Sequence, residues 1–209
     1  MSKRPGNPHS LAQRHLQRND PVLKALITAV GNCTLQPGGD PFSILVRSIL
    51  SQMISTRAAE AISLRVETAC EGRITPNAIL GLGEAQLKDQ GLSMAKVRAI
   101  RDLADRATDG RLPLTHLDAW QDDEIIAALT EVRGIGVWTA EMFLIFGLGR
   151  PDVLPVGDYG LRAGVKEQYG LEDLPRPGQL RAIAEPWAPH RSIATWYIWR
   201  SRGGVPQSE

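Results

Sequence analysis

The sequence predicts an all-α protein, and three kinds of observation support this prediction. Helix start signals recur: Asp20-Pro21 and Asp40-Pro41 each place an N-capping carboxylate before a proline at the first helical position. Glycines such as Gly31 follow apolar runs, as they do where helices end. No credible alternation of apolar and polar residues over five or more positions occurs. The chain therefore consists of predicted helices joined by short connections.

Each predicted helix has a start signal, a stop signal or an apolar stripe. The stripe of 42–50 follows the i, i+3, i+4, i+7 spacing of a core-facing helix: Phe42, Leu45, Val46, Ile49 and Leu50. The predicted helices are 22–30, 42–50, 56–71, a short one after Thr75-Pro76, one after Ser93 with Val97, Ile100, Leu103 and Ala104 on one face, 125–130 after a cap at Asp122 or Asp123, 137–146, 160–169, 178–184 and 191–202.

The order of the helices indicates two helical subdomains. The chain has 209 residues, so folding can bury roughly 70% of its extended surface, in one domain or two small ones. Helices follow one another without a break from Pro41 to Leu148, which predicts a central helical subdomain over 41–150. Segments 1–40 and 151–209 are then expected to pack together as a second, discontinuous subdomain.

The overall charge does not by itself indicate a nucleic-acid partner. Lys and Arg number 24 and Asp and Glu 23, giving a net charge of +1, so any DNA binding must come from a local site. The basic residues cluster in two stretches, which alone favour solvated helix faces: Lys96, Arg98 and Arg101, and Arg191, Arg200 and Arg202.

The cysteines and the opening segment indicate a reducing, soluble setting. Cys33 and Cys70 lie among apolar residues without a metal-binding spacing, so we expect two reduced core thiols. Segment 1–20 is polar and lacks an apolar stretch long enough for a signal peptide or membrane span. We therefore expect a cytoplasmic protein that does not contact a membrane.

A glycine-rich connection, 132–136, joins two predicted helices. Its Val-Arg-Gly-Ile-Gly sequence would place glycine amides at the N-terminus of the following helix, where unsatisfied N–H donors and the positive end of the helix dipole coincide. Such an end can bind a DNA phosphate without a lysine. An ordinary αα-hairpin with glycines at a C-cap explains these glycines equally well.

Asp158 is the second candidate for chemistry. It follows Gly157 and opens the predicted helix 160–169, so a plain N-cap role is the simplest interpretation. Asp158 also lies twenty residues after Trp138, and the intervening turn could bring both side chains to one cleft.

The hairpin, the tryptophan and the aspartate together resemble the helix-hairpin-helix DNA glycosylases, in particular their alkylation-repair branch. The family motif runs approximately glycine-isoleucine-glycine-x-tryptophan-threonine-alanine, with an aspartate about twenty residues later, and 134–140 with Asp158 match it in order. Segment 49–55 is similar to the family's glutamine-bearing segment, whose tip enters the duplex, and 185–199 resembles its terminal helix. The resemblance covers roughly 41–200 and implies a DNA-binding cleft between the two subdomains.

The resemblance assigns roles to individual residues. Asp158 would be the catalytic carboxylate and Met53 the wedge that fills the gap left by an extruded base. The base pocket would be lined by Trp138, Trp199, Tyr159, Met142 and Gln52. The phosphate contacts would come from Arg133, Gly134, Gly136 and Thr139. Trp187 and Trp196 are expected in the core.

Residue differences from related branches of the family limit the reactions and cofactors that are expected of this chain. The bifunctional glycosylases carry a Schiff-base lysine where this chain has Trp138, so no lyase activity is expected. No cysteine follows Cys70, which excludes a four-cysteine iron–sulfur cluster at the end of the chain. Arg133 replaces the usual hairpin proline, and it either leaves the loop less rigid or adds a phosphate contact. The resemblance implies no catalytic metal and no cofactor, but allows a structural sodium or potassium ion held by three carbonyls: Thr130, Val132 and Ile135.

The expected function is therefore a monofunctional DNA glycosylase that flips and excises alkylated purines in base excision repair, acting as a monomer on double-stranded DNA containing damaged bases. Two alternatives remain open from the sequence. One is a non-catalytic helix-hairpin-helix DNA-binding protein, which gives Asp158 and Trp138 no common role. The other is a glycosylase for other damaged or mispaired bases.

Overall fold

A computed structural model describes residues 7–204 and confirms the all-α class, since this part of the chain contains helices and no strand. The chain divides into two compact units. The central unit is Gly38–Leu148, and the discontinuous unit combines the chain up to Pro37 with the chain from Gly149 onward.

The α-helices of the described chain follow in this order: α1 Ser10–Asn19, α2 Pro21–Val30, α3 Pro41–Ser51, α4 Thr56–Ala69, α5 Pro76–Gly81, α6 Glu84–Asp89, α7 Met94–Thr108, α8 Asp122–Thr130, α9 Val137–Met142, α10 Tyr159–Tyr169, α11 Pro177–Ile183 and α12 Arg191–Ser201. Two 3₁₀ segments, Leu114–Ala119 and Glu185–Trp187, and a π-helical turn, Phe143–Gly147, complete the helical structure.

Several elements differ from the predicted ones. The sequence pattern does not predict α1, because its buried face combines only Ala12 and Leu16 with the polar Gln13. It also misses α6, which has a single buried apolar side chain, Leu87. The predicted helix 137–146 changes after α9 into the π turn, where the Leu148 N–H donates to the Phe143 carbonyl.

The predicted cap of α8 is wrong. The helix begins at Asp122 with Gln121 as its N-cap, and the Glu124 carboxylate accepts the Gln121 N–H at 2.8 Å. A glutamate three residues into the helix therefore satisfies the terminal donor, so neither Asp122 nor Asp123 is needed as the N-cap.

In the central unit, α3 packs against both α4 and α7, and α7 also packs against α5. The Asp40 carboxylate accepts the Ser43 N–H at 2.8 Å and starts α3. The predicted apolar stripe of α3 is buried throughout, and so is the stripe of α7. Burial of these apolar side chains, of which the larger ones each contribute about 1.5–3 kcal/mol, holds α3 and α7 against their neighbours.

In the discontinuous unit, α12 packs against α2 and α10. Gly164 on α10 permits close packing, because a Cβ there would lie 2.4 Å from Ile198 Cγ2 on α12. Trp187 and Trp196 are buried in this unit, in agreement with their expected core positions. The packing of α10 on α12 also brings Asp158, at the start of α10, close to Trp199 of α12.

A buried carboxylate, Asp20, connects distant parts of the discontinuous unit. Its Oδ1 accepts the N–H groups of Val22 (2.8 Å) and Leu23 (3.0 Å), and its Oδ2 accepts the Tyr169 hydroxyl and the Trp187 indole N–H (2.8 Å). Burial, assisted by the bond to Asp20, raises the pKa of Tyr169, so its hydroxyl keeps the proton that it donates.

Both cysteines are buried and unbridged. Burial raises the pKa of the Cys33 thiol to about 11, which leaves it protonated at neutral pH. Within 7–204, no helix is both long enough and apolar enough to cross a bilayer.

We predict that Asp20→Ala lowers the free energy of unfolding by about 3–4 kcal/mol, because it leaves two buried and two partly buried donors without their acceptor. The matched change Asp40→Ala removes an exposed N-cap that precedes proline in the same way, and should cost about 1 kcal/mol. Urea unfolding of both variants measures the difference, and equal losses would refute the role assigned to Asp20.

Candidate functional site

The Asp158 carboxylate accepts a backbone N–H and an indole N–H at the start of α10. It is the N-cap of that helix, and its Oδ1 accepts the Leu161 N–H at 2.5 Å and the Trp199 indole N–H at 2.8 Å. Only 6% of the residue is exposed. Asp158 therefore does act as an N-cap, and the indole bond in addition fixes the plane of its carboxylate.

Trp199 is more buried than expected for a residue that only stacks on a base. It is 2% exposed, and its indole N–H is directed at Asp158. Gly160 allows this approach, because a Cβ there would lie 3.5 Å from the indole ring and 3.2 Å from Asp158 Oδ1. The structure thus supports Trp199 as a donor to the carboxylate, and its contact with a base stays a prediction.

Of the predicted pocket aromatics, Tyr159 and Trp138 are the accessible ones. Tyr159 directly follows Asp158 and is 66% exposed, and Trp138 on α9 of the central unit is 41% exposed. Met142, one turn after Trp138, is fully buried and packs in the core of its unit. A direct contact between Met142 and a base stays a prediction.

The hairpin loop, Glu131–Gly136, connects α8 to α9. Val132 and Ile135 are buried and anchor the loop, and the Ile135 N–H donates to the Val132 carbonyl at 3.1 Å. Gly134 has φ +76°, a left-handed conformation that favours glycine. The residues between and after the anchors, Arg133, Gly134 and Gly136, are exposed.

The remaining predicted hairpin contacts are constrained by burial. Thr139 is 6% exposed, so a phosphate contact would use its N–H in the first turn of α9. A carbonyl oxygen has two lone pairs, so Val132 keeps one for a cation beside its bond from Ile135. The cation site at Thr130, Val132 and Ile135 stays a prediction.

The wedge turn, Gln52–Ile54, follows the end of α3. Met53 is completely exposed and has φ +59°, an unfavourable conformation for a residue with a Cβ. Gln52 Nε2 donates to the Gly134 carbonyl at 2.9 Å, so this side chain connects the wedge turn to the hairpin loop. Gln52 was predicted in the base pocket, and that role stays a prediction.

Two basic residues of α7 have structural partners that the sequence did not indicate. Lys96 Nζ donates to the Leu50 carbonyl at 2.5 Å, at the end of α3, and Arg101 donates to the Leu82 carbonyl at 2.6 Å, after α5. Burial lowers the pKa of the Lys96 ammonium. Cations at helix C-termini satisfy terminal carbonyls, so this stretch is more than a solvated face.

Sequence reasoning thus located the hairpin loop, the wedge turn and Asp158, but not the contacts that hold them. It missed Gly160 beside Trp199 and Lys96 beneath the wedge turn. It also missed Asp102, which accepts the Arg133 N–H at 2.9 Å. The sequence does place Lys96 and Asp102 on one predicted helix, but this placement does not indicate which residues they bind.

Comparison with known proteins identifies the family. Residues 46–189 match the HhH-GPD superfamily of base excision DNA repair proteins. Two relatives in Schizosaccharomyces pombe are each 31% identical: an alkylbase DNA glycosidase-like protein, with 96% of both chains covered, and DNA-3-methyladenine glycosylase 1, with 91% of this chain and 86% of the relative covered. The chain belongs to the HhH-GPD superfamily, which confirms the resemblance stated from 134–140 and Asp158.

Solved structures agree with this assignment and with the predicted glycosylase fold. The DNA-3-methyladenine glycosidase of Bacillus halodurans superposes with a TM-score of 0.86 at 35% identity, covering 96% of this chain and 93% of that one. The Schizosaccharomyces pombe 3-methyladenine DNA glycosylase in complex with abasic DNA gives 0.81 at 30% identity, covering 96% and 100%.

We predict that Met53→Gly weakens binding to an abasic duplex about tenfold, since it removes the apolar wedge, and affects binding to single strands less. The same change relieves the left-handed backbone, so the free energy of unfolding should stay constant or rise by up to about 1 kcal/mol.

Met53→Ala is the matched control, because it removes the wedge but keeps the backbone strain. It should bind DNA like the glycine variant and be the less stable of the two. Equal losses on duplex and single strand, measured by fluorescence anisotropy, would assign Met53 no wedge role.

Proposed function

We propose that this protein is a monofunctional DNA glycosylase that hydrolyses the N-glycosidic bond of alkylated purines of the 3-methyladenine and 7-methylguanine type. The observation that carries the proposal is the buried Asp158 carboxylate, oriented by Leu161 N–H and Trp199 Nε1–H. The relatives named as 3-methyladenine DNA glycosylases support the substrate class.

The substrate is a base that must leave the duplex before reaction. Extrusion costs a few kcal/mol of stacking and pairing, less for a damaged base. The exposed Met53 side chain would fill the vacated space. The hairpin loop, through Arg133, Gly134 and Gly136, and the first turn of α9, through Thr139, would hold the DNA backbone. The connection between Gln52 and Gly134 would keep these two DNA contacts in a constant relative position.

Recognition of the base would rest on aromatic faces. A 3-methyladenine or 7-methylguanine nucleotide carries a positive charge on the purine, and the electron-rich faces of the exposed Trp138 and Tyr159 attract such a cation. Cation–π attraction of this kind contributes about 0.5–2 kcal/mol. Neutral normal purines gain less from a contact with either ring, so each of these contacts would favour the cationic base.

Asp158 would act at the sugar. As the bond between C1′ and the purine nitrogen breaks, its electron pair goes to the purine and neutralises it, while positive charge develops on the deoxyribose. The Asp158 carboxylate would stabilise that charge and accept a proton from the water whose oxygen attaches to C1′. The products are the free neutral purine and an abasic site.

At position 138 the chain has no amine that could form the Schiff base of the alternative, covalent route. Trp138 stands where a Schiff base would require lysine, which is why hydrolysis without strand cleavage is proposed. The proposal extends to a monomer acting on double-stranded DNA without a cofactor, with any sodium or potassium ion serving only the hairpin structure.

We predict that the wild-type protein releases the base from a duplex containing 7-methylguanine, and that Asp158→Asn lowers the single-turnover rate by at least about a hundredfold. Asparagine keeps an oxygen for Leu161 N–H and Trp199 Nε1–H, so folding and binding to abasic DNA should be retained. Asp40→Asn, at an exposed N-cap of the central unit, controls for the loss of one negative charge.

Base release is scored by chromatography of the free 7-methylguanine, because hot alkali would itself break the strand at the methylated base. Near-normal excision by Asp158→Asn would reject Asp158 as the catalytic residue. DNA binding by wild type without release of any base would support a non-catalytic binding protein, and release of neutral lesions alone would support another glycosylase branch.

A further inference from the structure

One face of α7 contacts both DNA-binding turns of the central unit. Lys96 donates to the Leu50 carbonyl beneath the wedge turn. Three residues later, Ala99 Cβ lies 3.4 Å from the position that a Cβ on Gly134 would occupy. Asp102 follows at the same spacing, so these residues lie on one side of the helix.

Asp102 is the residue of this face that binds the hairpin backbone. Its Oδ2 accepts the Arg133 N–H at 2.9 Å, and its Oδ1 accepts Arg106 Nε at 3.2 Å. Arg106 also donates to Glu131 Oε2 at 3.0 Å. The Asp102 and Arg106 side chains are 21% and 18% exposed, so this pair is shielded more than an ordinary surface ion pair.

These contacts hold the hairpin loop on both sides of its left-handed residue. The Arg133 N–H is bound by Asp102, and the Gly134 carbonyl is bound by Gln52. Glycine loses more backbone freedom on ordering than any other residue, so a loop built on Gly134 needs external contacts to keep one shape. A proline at 133 could not make the first contact, because it has no N–H.

We propose that Asp102 is a positioning residue that holds the hairpin loop in its DNA-binding shape through the Arg133 N–H. The inference rests on the proposed function, in which this loop binds the DNA backbone. Arg106 partly neutralises the negative charge of the Asp102 carboxylate. An acidic side chain can therefore occupy this position close to the negatively charged DNA backbone.

The direction of the change in DNA affinity distinguishes a positioning role of Asp102 from a purely electrostatic one. Removing Asp102 deletes a negative charge and leaves Arg106 paired with Glu131 alone, and both changes would strengthen DNA binding if charge alone mattered. Loss of the positioning bond would weaken it. The test titrates an abasic duplex with the full-length wild-type protein, Asp102→Ala and Asp102→Asn. Asp105→Ala is the control, since it removes an exposed carboxylate from the same helix.

We expect Asp102→Ala to bind the abasic duplex about tenfold more weakly than wild type. Asp102→Asn should restore part of this affinity, because its carbonyl oxygen can accept the Arg133 N–H. Asp105→Ala should bind as tightly as wild type or more tightly. At saturating DNA, the single-turnover excision rate of Asp102→Ala should match the wild-type rate. If Asp102→Ala does not fold, Asp102→Asn should still bind less tightly than wild type. Equal or tighter binding by every folded Asp102 variant would overturn the proposal.

A second readout needs no DNA. Amide hydrogen exchange at Arg133, followed by NMR, should be faster in Asp102→Ala than in Asp105→Ala, because only the former loses the acceptor. Equal exchange in the two variants would also overturn the proposal. A wild-type protein that binds DNA but releases no base would reject the proposed glycosylase activity while leaving the Asp102 result intact.

Discussion

The hydrogen bond from the Trp199 indole to Asp158 is the interaction on which the proposed chemistry of this protein depends. The Asp158 carboxylate is 6% exposed, and a helix N-terminus and an indole both donate to its Oδ1. Both donors come from rigid helices, α10 and α12, whose close packing is permitted by Gly164. The proposed catalytic group is therefore oriented before any substrate arrives, which is what electrostatic catalysis requires.

The discontinuous unit uses the same kind of contact twice, with different consequences. Asp20 is also a buried N-cap with a tryptophan donor, Trp187, but its donors are shared between both oxygens and include the Tyr169 hydroxyl. That arrangement joins α2 to the end of α10 and stabilises the fold. At Asp158 the Leu161 N–H and the Trp199 indole N–H both donate to Oδ1 and orient the carboxylate.

Local signals predicted most of the helices, because caps, prolines and apolar stripes act over a few positions. The candidate site residues came instead from the resemblance of 134–140 and Asp158 to a known family. Asp40-Pro41 predicted α3, and the glycines of 134–136 predicted the hairpin loop. The contacts between distant residues could not be predicted in this way. Gln52 meets Gly134 across 82 positions, and nothing in either segment names the other. The polar helix α1 escaped prediction for a related reason, since its few buried residues matter only after packing.

The most direct test of the central claim is the single-turnover excision of 7-methylguanine by Trp199→Phe, compared with Trp196→Phe. Both changes shrink a buried tryptophan of α12, but only the first removes the donor to Asp158. We expect Trp199→Phe to excise about tenfold more slowly with unchanged affinity for abasic DNA, and Trp196→Phe to stay close to the wild-type rate. Equal rates for the two variants would contradict the role of the indole in orienting Asp158.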